Sequence, residues 1–220
     1  MKLNFRHLIV LLLGFFIFIA EAPAFANTSD DFSYPTLNTS LWTAINPRSD
    51  ASFTIEGSGT PDSVLLINVP AGIGHDVWSG NMAPRVMQPT ANADFEVEVK
   101  FQSPLATMYQ IQGIIVEQNS NNYLRFDFVY DNLGTKIFSA SFSNGTPSVR
   151  SSVRIVNGNP LYLRVKRVGN QWTESYSYNG TSWTTAGSFT HALTVASIGP
   201  FAGNAGNPAP AFTSRIDYFF

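Results

Sequence analysis

An all-β protein made of two packed antiparallel sheets is what the sequence predicts, and three observations carry the prediction. Apolar and polar residues alternate with period two in many short runs, whereas no stretch after residue 26 shows a 3.6-residue apolar stripe. Gly and Pro number 16 and 13, and Asn, Gly and Ser clusters separate the runs. Aromatic residues reach 14% against 13% charged ones, a balance that suits half-buried strands better than helices or disorder.

The first 26 residues have a separate purpose. Lys2 and Arg6 form a short basic region, Leu8 to Ala20 is almost wholly apolar, and Ala24-Phe25-Ala26 supplies small residues at the positions a signal peptidase reads. The apolar run is shorter than the roughly 20 residues that span a bilayer, and Glu21 follows it. Residues 1–26 are therefore expected to be a cleaved signal peptide and residues 27–220 a single secreted β-sandwich domain, extracellular or periplasmic. The mature chain carries 11 basic and 14 acidic side chains, a formal net charge of −3, and no cysteine. That excludes disulfides, zinc-thiolate sites and cysteine nucleophiles, and leaves no basic footprint for nucleic acid or an anionic membrane. A monomer with a neutral partner is expected.

Regular β-like runs begin near Phe53 and continue as Ser63 to Val69 and Arg85 to Gln88. Phe95, Val97, Val99 and Phe101 alternate with Glu96, Glu98 and Lys100, which predicts a strand with one wet face. Gln110 to Gln118, Asn122 to Tyr130, Lys136 to Phe142 and Val149 to Val156 follow, and Leu161, Leu163 and Val165 alternate with Tyr162, Arg164 and Lys166. Gln171 to Tyr178, Trp183 to Phe189, Ser197 to Ala202 and Phe212 to Phe220 complete about a dozen strands at the spacing of a sandwich. Asn179-Gly180 is predicted to close a tight hairpin, and Asn144-Gly145, Asn157-Gly158 and Gly169-Asn170 mark further turns.

Four segments in order then carry a resemblance: Asp30-Asp31-Phe32 leading to Leu41-Trp42; Gly113 to Gln118 followed by Asn122 to Asp127; Ser175 to Trp183; and Ile216 to Phe220. Together the chain resembles the concanavalin A-like lectin/glucanase superfamily, most closely the secreted bacterial domains of unknown function and the C-terminal sandwich of family-43 β-xylosidases. The resemblance implies a jelly roll with a concave face, and it implies little about activity, because function lives in sites grafted onto folds. It also implies Asp30, Asp31 and Asp217 as ligands of a structural calcium ion joining the chain ends; no other cofactor is expected. Trp42, Trp172 and Trp183 are read as packing between the sheets.

Catalysis is tested against the residues. The acidic strand motif of laminarinase-like members, Glu-x-Asp-x-x-Glu, finds only Glu96-Val97-Glu98 here, and Phe101 stands where the third acid belongs, so a solvated strand face is the better reading. No nucleophile elbow or zinc-protease motif occurs. Two enzymatic alternatives stay open: a glycosidase using Glu117 and Asp127, or a lyase using His75 as base with Arg85 as carboxylate clamp. A structural or adhesion domain is a third. The leading expectation is a non-catalytic, lectin-like domain that binds a neutral polysaccharide on its concave face through Trp78, Arg85, Gln112, Glu117, Tyr123, Arg125 and Asp127. Tyr123, Arg125 and Asp127 share one face of a strand, where ring stacking and hydrogen bonds to sugar hydroxyls are both available.

Overall fold

The structure is a computed structural model that describes residues 27–220; the expected signal peptide lies outside the described residues. Fourteen strands and no helix are found among them: β1 (Thr43–Ile45), β2 (Ser52–Glu56), β3 (Val64–Val69), β4 (Arg85–Pro89), β5 (Phe95–Phe101), β6 (Gln110–Asn119), β7 (Asn122–Asp131), β8 (Gly134–Ser143), β9 (Thr146–Arg154), β10 (Leu161–Val168), β11 (Gln171–Ser177), β12 (Thr184–Thr190), β13 (Ser197–Asn204) and β14 (Phe212–Phe219). They form two seven-stranded antiparallel sheets. One runs β1-β4-β13-β6-β7-β8-β9, the other β12-β11-β10-β5-β14-β3-β2. The meander β6 to β9 is sequential, while β13 and β14 return from the far end of the chain to separate β4 from β6 and β5 from β3. This is the jelly-roll sandwich expected from the sequence.

The alternation sets the faces. Val97, Val99 and Phe101 of β5 and Leu161, Leu163 and Val165 of β10 point inward and pack with Ile114, Val116, Leu124, Phe126 and Phe128 of the opposite sheet. On the outside of β5 and β10, Glu98 accepts from Arg164 at 2.8 Å and Glu96 pairs with Lys166 at 3.4 Å, so the wet face reads as predicted. Lys100 turns instead to Asp217, at 2.6 Å. Trp42 and Trp172 are buried between the sheets. Trp183 is not: it lies in the connection between β11 and β12 with the Arg164 guanidinium 3.8 Å from its ring centre.

One of the expected turns is present at Asn144-Gly145 and another differs at Asn179-Gly180. At Asn144-Gly145 both residues have positive φ (49° and 78°), and β8 and β9 are joined by a two-residue turn. Asn179-Gly180 sits in a longer connection from Tyr178 to Trp183, in which Asn179 Oδ1 accepts from the Thr181 and Ser182 amides. The side-chain bonding of Asn179 opens the loop where a tight hairpin was predicted.

The three aspartates proposed as calcium ligands do not converge. Asp30 Oδ2 accepts from the buried Trp42 indole at 2.7 Å and its Oδ1 from the Phe32 amide at 2.8 Å. Asp31 caps the Ser33 amide, and Asp217 pairs with Lys100. The chain ends are joined by backbone bonds between Asp30 and Phe219 instead. Asp30→Ala is expected to lower stability by about 1–3 kcal/mol by leaving the indole N–H unpaired, measured by urea unfolding. A melting temperature that rises on adding calcium to the wild type would restore the ion.

Candidate functional site

The site lies on the outer face of the β1-to-β9 sheet, away from the core. Register places Ile111, Gly113, Ile115 and Glu117 of β6 opposite Val129, Asp127, Arg125 and Tyr123 of β7, and these in turn opposite Lys136, Phe138, Ala140 and Phe142 of β8. One face of three central strands thus combines apolar, aromatic and charged side chains. The segment 70–84, between β3 and β4, covers part of it. Val77 and Ala83 from this segment are buried against Met87, Ile111, Ile115, Val129 and Phe201, forming a second apolar cluster outside the sandwich.

Polar side chains anchor the covering segment. His75 is fully buried, with Nε2 2.8 Å from Asp50 Oδ1 and Nδ1 3.1 Å from Asn204 Oδ1. Asn204 donates to the Pro70 and Pro210 carbonyls, which fixes its amide with Oδ1 toward the histidine. The Tyr123 hydroxyl donates to the Val77 carbonyl at 2.6 Å, and burial raises its pKa. Glu117 Oε1 accepts from Asn81 at 2.7 Å and lies 2.9 Å from Arg85 Nε, a close ion pair without the alignment of a hydrogen bond. Arg85 Nη1 donates to the Asn81 and Ala83 carbonyls, and burial lowers the pKa of the guanidinium against the pull of Glu117.

These bonds revise several expectations. Arg85, Glu117 and Tyr123 do lie on one face, yet they are buried and spent on holding the covering segment. Gln112 is on the opposite side of β6, between the sheets, bonded to Ser103 and Ser214. Its place in the alternation, out of phase with Gly113 and Glu117, already separates it from the outer face. Glu117 and Asp127 do not face each other: Glu117 pairs with Tyr123 and Asp127 with Gly113, four residues further along β7, about 13 Å of strand. Both carboxyl groups are also taken up within the protein, Glu117 by Arg85 and Asp127 by Arg125. His75, enclosed by Asp50 and Asn204, has no open path to a substrate, so the lyase pairing with Arg85 is not formed either.

What remains open is a cleft of about 290 Å³ beside the covering segment. Ile111 and Val129 form its floor. Trp78, 36% exposed, stands on one side, resting on Phe138 and Phe142 with ring centres 6.2 and 5.8 Å away. Tyr109, 38% exposed, also lines it, held at φ 70° by bonds between its backbone and Tyr130 and Ala205. Left-handed backbone is costly for so bulky a residue and concentrates at ligand sites. Arg125, Asp76 and Lys136 supply the charges. Arg125 makes a two-pronged bond to the fully buried Asp127, at 2.6 and 2.9 Å, while Nη1 lies 3.4 Å from Asp76 Oδ1. Burial raises the Asp127 carboxyl pKa even against the facing guanidinium. Asp76 Oδ1 also accepts from the Trp78 amide at 3.0 Å, which ties the ring to the acid.

Of the predicted site residues, the cleft therefore keeps Trp78 and Arg125, with Asp127 beneath. Tyr109, Lys136 and Phe138 were missed. Lys136 and Phe138 follow from alternation along β8 once its register with β7 is known. The position of Tyr109 comes from a backbone angle that no residue pattern announces.

A family model described as protein of unknown function (DUF1349) matches residues 73–212, from the covering segment into β14. The chain belongs to this family. The DUF1349 match includes every residue that lines the cleft. No curated protein is similar to the chain in sequence. Among solved structures, the GH43 protein BlXynB of Bacillus licheniformis superposes with a TM-score of 0.69 at 22% identity, over 87% of this chain and 38% of that one. The xylan β-1,4-xylosidase of Bacillus halodurans C-125 gives 0.68 at 16%, over 92% and 40%. This DUF1349 chain thus spans about two fifths of the length of these two proteins. A GH16 protein of Bacteroides ovatus, in complex with the product G4G4G3G, gives 0.60 at 12% identity over 88% of this chain and 98% of its own. At these identities the likeness speaks for the sandwich fold alone.

Proposed function

We propose that this protein is an exported, non-catalytic domain that binds a saccharide in the cleft beside Trp78. The observation that carries the reading is the Trp78 ring: half-exposed, seated on Phe138 and Phe142, and tied through its amide to Asp76. An aromatic face next to hydrogen-bonding groups suits a sugar ring, which has apolar C–H faces and a polar rim. Tyr109 adds a second aromatic surface. The cleft is at the small end for ligand sites, about 300 Å³ and upward, so it suits a short stretch of glycan. The non-catalytic part rests on the carboxylates: Glu117 is engaged by Arg85 and Asn81, and Asp127 by Arg125.

The test is a glycan array and an insoluble-polysaccharide pull-down with residues 27–220, comparing wild type with Trp78→Ala and assaying the same mixtures for new reducing ends and unsaturated sugars. Wild-type binding without product, weakened about tenfold or more in Trp78→Ala, is expected. The variant should melt within about 5 °C of wild type, because the ring lies outside the inter-sheet core. Product formation would overturn the non-catalytic assignment, and collapse of the variant's fold would assign Trp78 to packing.

A further inference from the structure

The charges lining the cleft are two cations and one carboxylate: Arg125 and Lys136 against Asp76. Asp127 beneath the cleft balances Arg125, which leaves Lys136 as the cation to set against Asp76 in a chain whose formal charge is −2. Net charge describes the far field, whereas a ligand in a cleft meets the groups within a few ångströms.

Of the two cations, Lys136 is the less committed to a protein partner. Lys136 Nζ approaches Asp131 Oδ2 at 3.3 Å, but Asp131 is already held by Arg154 through two shorter bonds, 2.7 and 2.9 Å. Those bonds keep the Asp131 carboxyl well below the usual range, with Lys136 a lesser contributor. The ammonium is therefore a second, weaker partner of a satisfied acid, and its flexible stem lets it turn to an incoming group. Arg125 spends Nε and Nη2 on Asp127, and Nη1 has only the 3.4 Å approach to Asp76. Arg125, its side chain 5% exposed, thus adds its charge to the cleft wall, and Lys136, 27% exposed, is the donor able to turn to a ligand. A neutral sugar placed there would shed water from the ammonium and return only hydroxyl contacts. A carboxylate would replace the water with charge-assisted bonds, which are about twice as strong.

We infer that the cleft selects an acidic saccharide, a uronic-acid unit whose carboxylate pairs with Lys136 while its ring lies against Trp78 and a hydroxyl donates to Asp76. The inference rests on the saccharide-binding reading above and replaces the neutral ligand expected from whole-chain charge with an anionic one.

The experiment is titration calorimetry of residues 27–220, wild type and Lys136→Gln, with short oligosaccharides of galacturonate and of glucuronate. Each is tested beside its carboxyl-reduced, neutral counterpart, with sodium acetate as a bare carboxylate. Lys136 is on the surface of an edge of the cleft, and thermal melting checks that the variant folds. Wild type is expected to bind at least one uronate oligomer about tenfold or more tighter than its neutral counterpart, and Lys136→Gln to lose that preference. Equal affinity for the charged and neutral members would overturn the inference and leave saccharide binding standing. So would a preference that survives in Lys136→Gln, or acetate binding as tightly as the uronate. Absence of binding to every sugar by folded wild type would overturn the saccharide reading itself.

Discussion

Asp127→Ala is expected to destabilise the protein by about 3–5 kcal/mol, the largest effect of any single substitution at the site. Asp127 has no solvent exposure and Arg125 almost none, and the two are joined by parallel bonds of 2.6 and 2.9 Å. Deleting the carboxylate leaves a guanidinium buried on the sheet with only the long contact to Asp76. Lys136, nearby on β8, adds a second positive charge to the same face. Urea unfolding of the variant checks the size of the loss. The paired substitution Arg125→Met with Asp127→Leu separates two meanings of it, since removing both charges is expected to recover most of the stability that one deletion costs. A loss below about 1 kcal/mol for Asp127→Ala would show that the pair is solvated and that the cleft floor is softer than the geometry indicates.

The second large effect concerns Glu174, a carboxyl group buried in the core. It stands on β11 opposite Val165 and Gly187, points inward beside Trp172, and has no solvent exposure and no hydrogen-bond partner at either oxygen. Ser139 Oγ of β8, likewise unpartnered, and the backbone of Asp127 are its nearest polar neighbours across the sandwich. Burial, reinforced by the charge of Asp127, raises its pKa well above the ordinary 4.5. The folded state therefore holds a proton that the unfolded chain releases above about pH 4.5. The contribution of this group is intact below that pH and is lost as pH rises toward its folded pKa. Glu174→Gln removes the titration, and Glu174→Met also removes the unpaired polar atoms. Both are expected to stabilise the protein at pH 8, the second by about 1–3 kcal/mol, and to flatten the decline in melting temperature between pH 5 and pH 8. A wild-type melting temperature that rises across this range with no difference from Glu174→Gln would contradict the assignment.

Why a lone acid occupies this position was not legible in the sequence. Trp172, Glu174 and Tyr176 share a strand face, and the phase of the alternation put Glu174 with the core residues, but β11 carries Gln171, Thr173 and Ser175 on its other face and reads as polar on both. Strand identity was legible wherever β-branched and aromatic residues alternated strictly. Phe95–Phe101 has the bounds expected of it, and β6, β7 and β8 lie within two residues of theirs. The strands β1 and β2 were not delimited, and β1 has only three residues to stand out from a loop.

The candidate site shows the same division. Alternation placed Tyr123, Arg125 and Asp127 on one face, and the structure keeps them there. Which of them solvent reaches depended on the segment 70–84, whose fold is set by Asp50, Asn204, Glu117 and Tyr123, residues distant from it in sequence. By itself the sequence determined the all-β class, most strands and the side of each strand that turns inward, because period-two alternation is a local property of the backbone. The tertiary structure alone decided that Glu117 and Asp127 are out of register, and that Arg85 and Tyr123 brace a covering segment while Tyr109, Trp78, Arg125 and Lys136 meet in one cleft. Those outcomes depend on strand pairing and loop docking, where the partner of each residue lies tens of positions away and is selected by the packing of the whole sheet.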